Sequence, residues 1–151
     1  MTTSAIKGKI QEDMKAAMRS QDKERLATIR LILAALKQRE VDERIELSDE
    51  QVITILDKML KQRRESISQF EAAARQDLVQ KEVAEVAVIQ EYLPEQLSSA
   101  ELDALIEAAI SETGAAGARD MGKVMGVLKP KVQGRADVSA VSSKVKDRLS
   151  A

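Results

Sequence analysis

The sequence contains no histidine and no cysteine among its 151 residues. Without cysteine the chain has neither disulfide bonds nor thiolate metal sites. Without histidine it lacks the commonest general base, the Ser–His and Cys–His dyads, and imidazole ligands for zinc. We therefore expect no catalytic residue, no metal site and no cofactor in this chain.

Aromatic residues are nearly absent as well, at 1% of the chain, with one Phe and one Tyr. Leu, Ile, Val, Ala and Met must fill the core, and with only 6 Gly and 2 Pro this composition favours packed helices over a β-sandwich or barrel. No apolar run approaches the roughly 18 residues of a membrane span, and residues 1–15 do not resemble a signal peptide. These features predict a soluble cytoplasmic protein without membrane contact.

Apolar residues at helical spacing predict long helices in the first part of the chain. A first helix is expected to end near Ser20, and Asp22 is placed to cap a second one. The charged segment 41–47 is predicted to be a loop. Ser48 and Gln51 then have the spacing of a capping box that begins a long third helix.

Polar residues 69–77 predict a break after the third helix, and a fourth helix is expected over residues 78–92. Its inward side is predicted to hold the valines and isoleucine Val79, Val83, Val86 and Ile89. Pro94 is expected to end this helix, because proline lacks an N–H and restricts the residue before it. The segment around Pro94 is therefore the best candidate for a domain boundary.

Three shorter helices are predicted after the boundary. Ser98 and Glu101 form a second capping-box pattern, Gly114 is expected to stop the helix that follows, and Asp137 is placed to cap the last one. Between them a short helix over 120–128 is predicted to be closed by Pro130. Three glycines punctuate this region; a turn or close helix packing is expected at Gly122, Gly126 and Gly134.

These patterns together predict an all-α protein of two parts. Residues 1–93 are expected to form a hairpin or bundle of long helices. Residues 97–151 are expected to form a compact domain of three helices.

The net charge of −1 conceals a strong segregation along the chain. Residues 77–112 hold one Lys and nine acids, whereas residues 115–151 hold eight basic and three acidic residues. The basic tail predicts phosphate contacts, and the shortage of aromatics argues against base stacking, so structured RNA is the expected ligand. The proposed nucleic-acid-binding residues are Lys123, Lys129, Lys131, Arg135, Lys144 and Lys146, with Arg148 in the same region. The alternative is that these cations are ordinary solvated side chains or face the acidic stretch.

Two further possibilities concern catalysis and protein partners. The acid pair Glu82 and Glu85 and the pair Asp57 and Lys61 are the candidate acid–base groups, and both are better explained as surface charges on helices. A protein partner could bind the basic cluster of the third helix, which comprises Lys58, Lys61, Arg63 and Arg64.

Blocks of sequence along nearly the whole chain resemble the YqeY-like proteins. The first part carries DMKAAM at 13–18, DKERL at 22–26, IR at 29–30, KQRRES at 61–66 and EYLPEQL at 91–97. The second part carries DMGKVMG at 120–126, KPK at 129–131 and GRAD at 134–137.

Residues 97–151 also resemble the helical tail of the B subunit of glutamyl-tRNA(Gln)/aspartyl-tRNA(Asn) amidotransferase. This resemblance implies that the tail engages tRNA while other modules perform the chemistry, and it assigns tRNA contact to the last helix and to Gly122, Lys123, Gly126, Lys131, Gly134 and Arg135. The leading hypothesis is a non-catalytic accessory protein that binds tRNA or another structured RNA. The alternatives are a component of a carbon–nitrogen ligase that uses glutamine as amido donor and acts on misacylated tRNA, and a protein–protein adaptor.

Overall fold

The computed structural model describes residues 4–150, and all regular secondary structure in that range is helical. The all-α prediction is confirmed. Within these residues no helix is both long enough and apolar enough to cross a membrane. The α-helices are α1 (Ala5–Ser20), α2 (Lys23–Glu43), α3 (Asp49–Ala72), α4 (Gln76–Gln90), α5 (Ser99–Thr113), α6 (Met121–Val132) and α7 (Val138–Ser150), and a short 3₁₀ turn (Ala118–Asp120) precedes α6.

The predicted caps begin the helices where the sequence places them. The side chain of Asp22 accepts a hydrogen bond from the backbone N–H of Arg25 at the start of α2. Ser48 and Ser98 form complete capping boxes with the residues three positions later, at the starts of α3 and α5. Each cap satisfies backbone N–H groups that the first helical turn leaves without partners.

Two predicted helix ends are wrong. The segment 41–47 is not entirely loop, because α2 continues to Glu43 and ends where Arg44 takes a left-handed conformation, with φ 54°. Helix α6 likewise runs through Pro130 to Val132 instead of closing before the proline. Burial of Val132, which has no exposed surface, offsets the backbone hydrogen bond that Pro130 cannot donate.

Helix α4 also departs from its predicted pattern. Its regular part ends at Gln90, and i→i−3 hydrogen bonds continue as a tighter turn to Leu93, so the backbone pattern stops at Pro94 as predicted. Val79 and Ile89 are buried as expected, but Val83 is 50% exposed and does not belong to the inward side.

The described chain divides into two compact units, Met1–Leu93 and Pro94–Ala151. In the first unit α3 packs along α4, α1 packs along α2, and α2 also contacts α4. Its core is formed by aliphatic side chains from all four helices. Those with no exposed surface include Ile10, Ile29, Ile32, Leu36, Val52, Leu56 and Ile89.

In the second unit α6 packs against both α5 and α7. Ile106 of α5, Val124 and Leu128 of α6, and Val141 and Val145 of α7 form its fully or almost fully buried core. Because α6 is the central element of this core, one side of it is fixed by packing and the opposite side faces outward.

Candidate nucleic-acid interface

The outward side of α6 contains two glycines. Gly122 and Gly126 are both exposed and lie one helical turn apart, opposite the buried side chains of Val124 and Leu128. Here the helix presents bare backbone to the surroundings.

The prediction that Gly122 and Gly126 permit close helix packing is wrong. A Cβ atom built on either glycine meets no atom within 4 Å among the described residues. Neither glycine has a positive φ. Gly126, in the interior of α6, costs about 1 kcal/mol relative to Ala, and Gly122, in the first turn, costs less. Neither packing nor backbone conformation accounts for the two glycines.

Lys123 and Lys129 lie on the two flanks of this glycine face. At about 100° per residue, Lys123 falls on one side of the line through Gly122 and Gly126, and Lys129 falls on the other. The Lys123 side chain is 71% exposed, and its nearest carboxylate is that of Asp120 at 3.9 Å. Lys129 is exposed and forms no ion pair with residues 4–150. We call this surface, formed by Gly122, Lys123, Gly126 and Lys129, the glycine face.

Helix α5 neutralises several of the other cations of the basic tail. The Nζ atom of Lys144 lies 3.0 Å from a carboxylate oxygen of Asp103 and 3.2 Å from the hydroxyl of Ser99. The guanidinium of Arg148 contacts the carboxylate of Glu107.

Lys131 is held more loosely by the same helix, with its Nζ atom 4.0 Å from a carboxylate oxygen of Glu112. The structure therefore does not bring all the predicted cations together on one surface. The alternative, that part of the basic tail faces the acidic stretch, describes Lys131, Lys144 and Arg148. Lys146 is exposed on α7.

Arg135 connects two parts of the second unit rather than standing free. Its Nε atom donates to the backbone carbonyl of Glu95 at 3.1 Å, and its own carbonyl accepts from the backbone N–H of Leu97 at 2.9 Å. The side chain of Gln96 donates to the carbonyl of Gly134 at 2.7 Å. Gly134 is buried with a φ of 74°, which agrees with the predicted turn and which glycine adopts without strain. Hydrogen bonds thus join two of the sequence blocks, EYLPEQL and GRAD.

Residues from the sequence blocks of the first unit also meet each other. The hydroxyl of Tyr92 donates to the carboxylate of Asp13 at 2.6 Å. The guanidinium of Arg25 lies 2.5 Å from a carboxylate oxygen of Glu91 and 3.8 Å from one of Asp13. Burial, and then the hydrogen bond to Asp13, raise the pKa of Tyr92 above its ordinary value. These residues tie α1 and α2 to the end of α4.

We expect the phenol of Tyr92 to resist ionisation at pH values above its ordinary pKa of 10.0. When the pKa of a phenol is higher in the folded than in the unfolded protein, its contribution to stability is complete below the unfolded pKa. That contribution is lost as the pH rises through the folded pKa. The chain has one Tyr and no Trp, so phenolate absorbance reports this group alone. In the native protein the absorbance should rise only at the pH of unfolding, and the stability of Tyr92→Phe should fall less steeply with pH in the alkaline range. A native phenol that titrates as it does in urea would contradict this.

The basic cluster of α3 is only partly available to a partner. Lys58 and Lys61 are exposed, but the Nε atom of Arg63 lies 3.1 Å from a carboxylate oxygen of Glu85. Both side chains of this pair are mostly buried, with 15% and 13% of their surface exposed. Glu85 therefore joins α4 to α3, and it is not a free acid–base group.

No set of three or more acidic side chains within residues 4–150 has the arrangement of a metal site. The first unit contains an open groove of about 780 Å³ between the start of α2 and α4. Charges of both signs surround its apolar floor: Lys23, Arg25 and Lys81, with Asp22, Glu24, Asp77 and Glu85.

Comparison with known proteins extends the resemblance found in the sequence. The model of the YqeY-like protein family matches residues 7–149. A fungal protein from Pyrenophora tritici-repentis, named altered inheritance of mitochondria protein 41, mitochondrial, is 35% identical over 146 residues. That match covers 95% of this chain and 80% of the relative.

Proteins of the same name from two other fungi are also similar. The one from Eremothecium gossypii is 41% identical over 85 residues, covering 56% of this chain and 46% of the relative. The one from Saccharomyces cerevisiae is 36% identical over 101 residues, covering 66% of this chain and 52% of the relative. The sequence blocks, the helical structure that they stabilise and the match over almost the full length agree: the chain belongs to the YqeY-like protein family.

Proposed function

We propose that this protein binds the sugar–phosphate backbone of tRNA or another structured RNA through the glycine face of α6, without catalysing a reaction itself. The observation that carries the proposal is the pair of exposed helical glycines, Gly122 and Gly126, for which the described residues provide no packing reason. A residue that weakens a helix without any structural reason is expected mainly at a binding site.

The glycines would allow close approach of a polyanion. A helix without side chains over one turn lets a ligand come nearer to its backbone than any other helix surface would allow. The ammonium groups of Lys123 and Lys129 flank that surface and would meet phosphates on either side. Phosphate contacts of this kind supply most of the affinity of sequence-independent nucleic-acid binding.

Structured RNA suits this surface better than a single strand. The aromatic residues of the chain are limited to Phe70 and Tyr92, and Tyr92 is buried in the first unit, so successive bases have no stacking platform. Recognition by shape and backbone remains, which is the usual mode for folded RNA. The resemblance of residues 97–151 to the amidotransferase B-subunit tail supports tRNA as the first RNA to test.

The proposal reduces the number of residues assigned to RNA contact. Lys123 and Lys129 are the principal phosphate ligands, and exposed Lys146 is a secondary one. Lys144 and Arg135 support the fold of the second unit through Asp103 and Glu95. Lys131 is exposed but lies on the side of α6 away from the glycine face. An activity of a carbon–nitrogen ligase would require groups from other subunits, because the described residues offer no cluster that could hold a metal ion.

Binding of total tRNA to the full chain, measured by filter retention at several salt concentrations, tests the proposal. With about two principal phosphate contacts, the logarithm of the association constant should fall with the logarithm of the salt concentration with a slope near −2. Absence of binding at low salt, or binding that does not change with salt, would contradict it.

A further inference from the structure

Helix α2 carries a second apolar surface that the first unit leaves uncovered. Its buried side holds Ile29, Ile32 and Leu36, none of which has any exposed surface. Leu31 and Val41 lie on another side of the helix and are 47% and 59% exposed. These two residues belong to a row of six that are spaced alternately four and three residues apart: Ala27, Leu31, Ala34, Gln38, Val41 and Ile45.

This spacing is that of a heptad seam, in which one side of a helix packs along another helix. All six positions are exposed, and five of them are apolar. Ile45, 36% exposed, follows the left-handed residue Arg44, so it continues the spacing in sequence but lies beyond the helix, which ends at Glu43. We call these six positions the α2 seam.

A row of cations follows one edge of the α2 seam. Lys23, Arg30, Lys37 and Arg44 recur at intervals of seven residues, so they occupy the same position of successive heptads, next to the apolar line. All four are exposed, and none pairs with a carboxylate among residues 4–150, although the charge of Lys37 helps to lower the pKa of Glu40. Four regularly spaced, unpaired cations beside an apolar line form a pattern to which a partner can be complementary.

The opposite edge differs in charge. Asp42 is its exposed acidic residue, and it already accepts a hydrogen bond from the side chain of Gln38 at 2.9 Å. Glu24, seven residues before Leu31, lies at the N-terminal end of the seam line itself. The seam is therefore basic along one edge and weakly acidic along the other. Such asymmetry fixes the orientation of a partner helix as well as its charge.

We propose that the α2 seam docks an amphipathic helix of another protein, with apolar residues in heptad spacing and Asp or Glu along the edge that meets the cationic row. The apolar line supplies contact area and the four cations select an acidic edge. The seam reaches the groove between α2 and α4, whose lining includes Lys23, Ala27, Ala84 and Val88. The partner helix can therefore extend its contacts onto α4.

Charge makes a second copy of the chain the poorer occupant. A parallel copy would set only one acidic residue, Asp42, against the four cations, and an antiparallel copy is worse. Two α2 helices packed antiparallel along their seams would set the same heptad position of each against the other, so the row of Lys23, Arg30, Lys37 and Arg44 would face itself. Like charges at such positions are unfavourable. RNA is also a poorer occupant, because Leu31 and Val41 would bring apolar surface against phosphate.

The experiment uses the full chain and two synthetic peptides of four heptads with Leu at the seam positions. One peptide has Glu at the flanking positions and the other has Lys, and binding is followed by fluorescence anisotropy. The Glu peptide should bind, and the Lys peptide should not. Arg30→Glu with Lys37→Glu should weaken binding of the Glu peptide at least tenfold, and so should Leu31→Ser with Val41→Ser.

Two matched variants control for charge and exposure elsewhere. Lys58→Glu with Lys61→Glu reverses two exposed cations of α3, and Met18→Ser removes an apolar side chain of α1 that is 50% exposed. Both should bind the Glu peptide as the unmodified chain does.

Four outcomes would overturn the proposal. They are absence of binding to the Glu peptide, equal binding of both peptides, equal losses in the control variants, and tRNA binding that depends on Arg30 and Lys37 while peptide binding does not. A stable dimer in sedimentation that Leu31→Ser with Val41→Ser dissociates would assign the seam to a second copy instead. The proposal concerns the first unit, so loss of tRNA binding in α6 variants leaves it unaffected.

Discussion

Reversing the charge of the two lysines beside the glycine face, Lys123→Glu with Lys129→Glu, is expected to weaken tRNA binding about a hundredfold at low salt. Each substitution removes a cation from a phosphate and puts an anion in its place. The salt dependence should weaken in parallel, by about one unit of slope for each lysine. The measurement is the same filter-retention titration, performed with the double variant and the unmodified chain.

Folding should not limit this experiment, because both lysines are exposed. Lys58→Glu with Lys61→Glu, on the exposed side of α3, is the matched control and should retain the affinity and the salt slope. Equal losses in both double variants would mean that tRNA responds only to overall charge, and the glycine face would then have no special role.

Glu85→Ala is expected to lower the free energy of unfolding by about 2–3 kcal/mol. The substitution leaves the mostly buried guanidinium of Arg63 without its carboxylate, since its other contact is a 3.4 Å hydrogen bond to the carbonyl of Met59. Most of the penalty arises because the buried guanidinium of Arg63 remains charged without a partner, and less arises from the attraction that is lost. Urea denaturation followed by circular dichroism measures the difference.

The double variant Arg63→Ala with Glu85→Ala separates the two contributions. It should be less destabilised than the sum of the single variants predicts, because no unpaired charge remains. Lys15→Ala is a useful comparison: its ion pair with Glu12 is exposed, and its loss should cost less than about 0.5 kcal/mol. Additive effects of Arg63→Ala and Glu85→Ala would show that the pair does not act as a unit.

Helix starts were predictable from the sequence because capping is local. The side chains of Asp22, Ser48 and Ser98 bond to backbone groups within three residues, so the pattern of a few residues determines the outcome. The ends at Glu43 and Val132 depend on tertiary burial and on a left-handed residue that is not glycine. Neither leaves a clear local signal.

The candidate site was predictable only in part. The sequence identified the glycines and lysines of α6, but helical periodicity cannot say which neighbouring helix faces a given cation. Pairing of Lys144 with Asp103 and of Lys131 with Glu112 requires the packing of α5 in three dimensions. The net charge of residues 115–151 therefore overstated the positive surface available to a ligand.

The α2 seam was missed for a related reason. Residues 26–36 contain apolar side chains on more than one side of the helix, and a single apolar stripe describes only the buried side. The signal that distinguishes the seam is the row of cations at seven-residue intervals, which a search for a single apolar stripe does not reveal.

The central claim is that Gly122 and Gly126 are glycines because RNA approaches the backbone there, and the direct measurement is stability and tRNA affinity in the same variant. Gly122→Ala with Gly126→Ala should raise the free energy of unfolding by about 1–2 kcal/mol, since no described atom opposes the new methyl groups, and should weaken tRNA binding at least tenfold. Gly8→Ala in α1, where a new Cβ atom also meets no described atom within 4 Å, should affect tRNA binding little. A more stable double variant that binds tRNA as well as the unmodified chain would contradict the account.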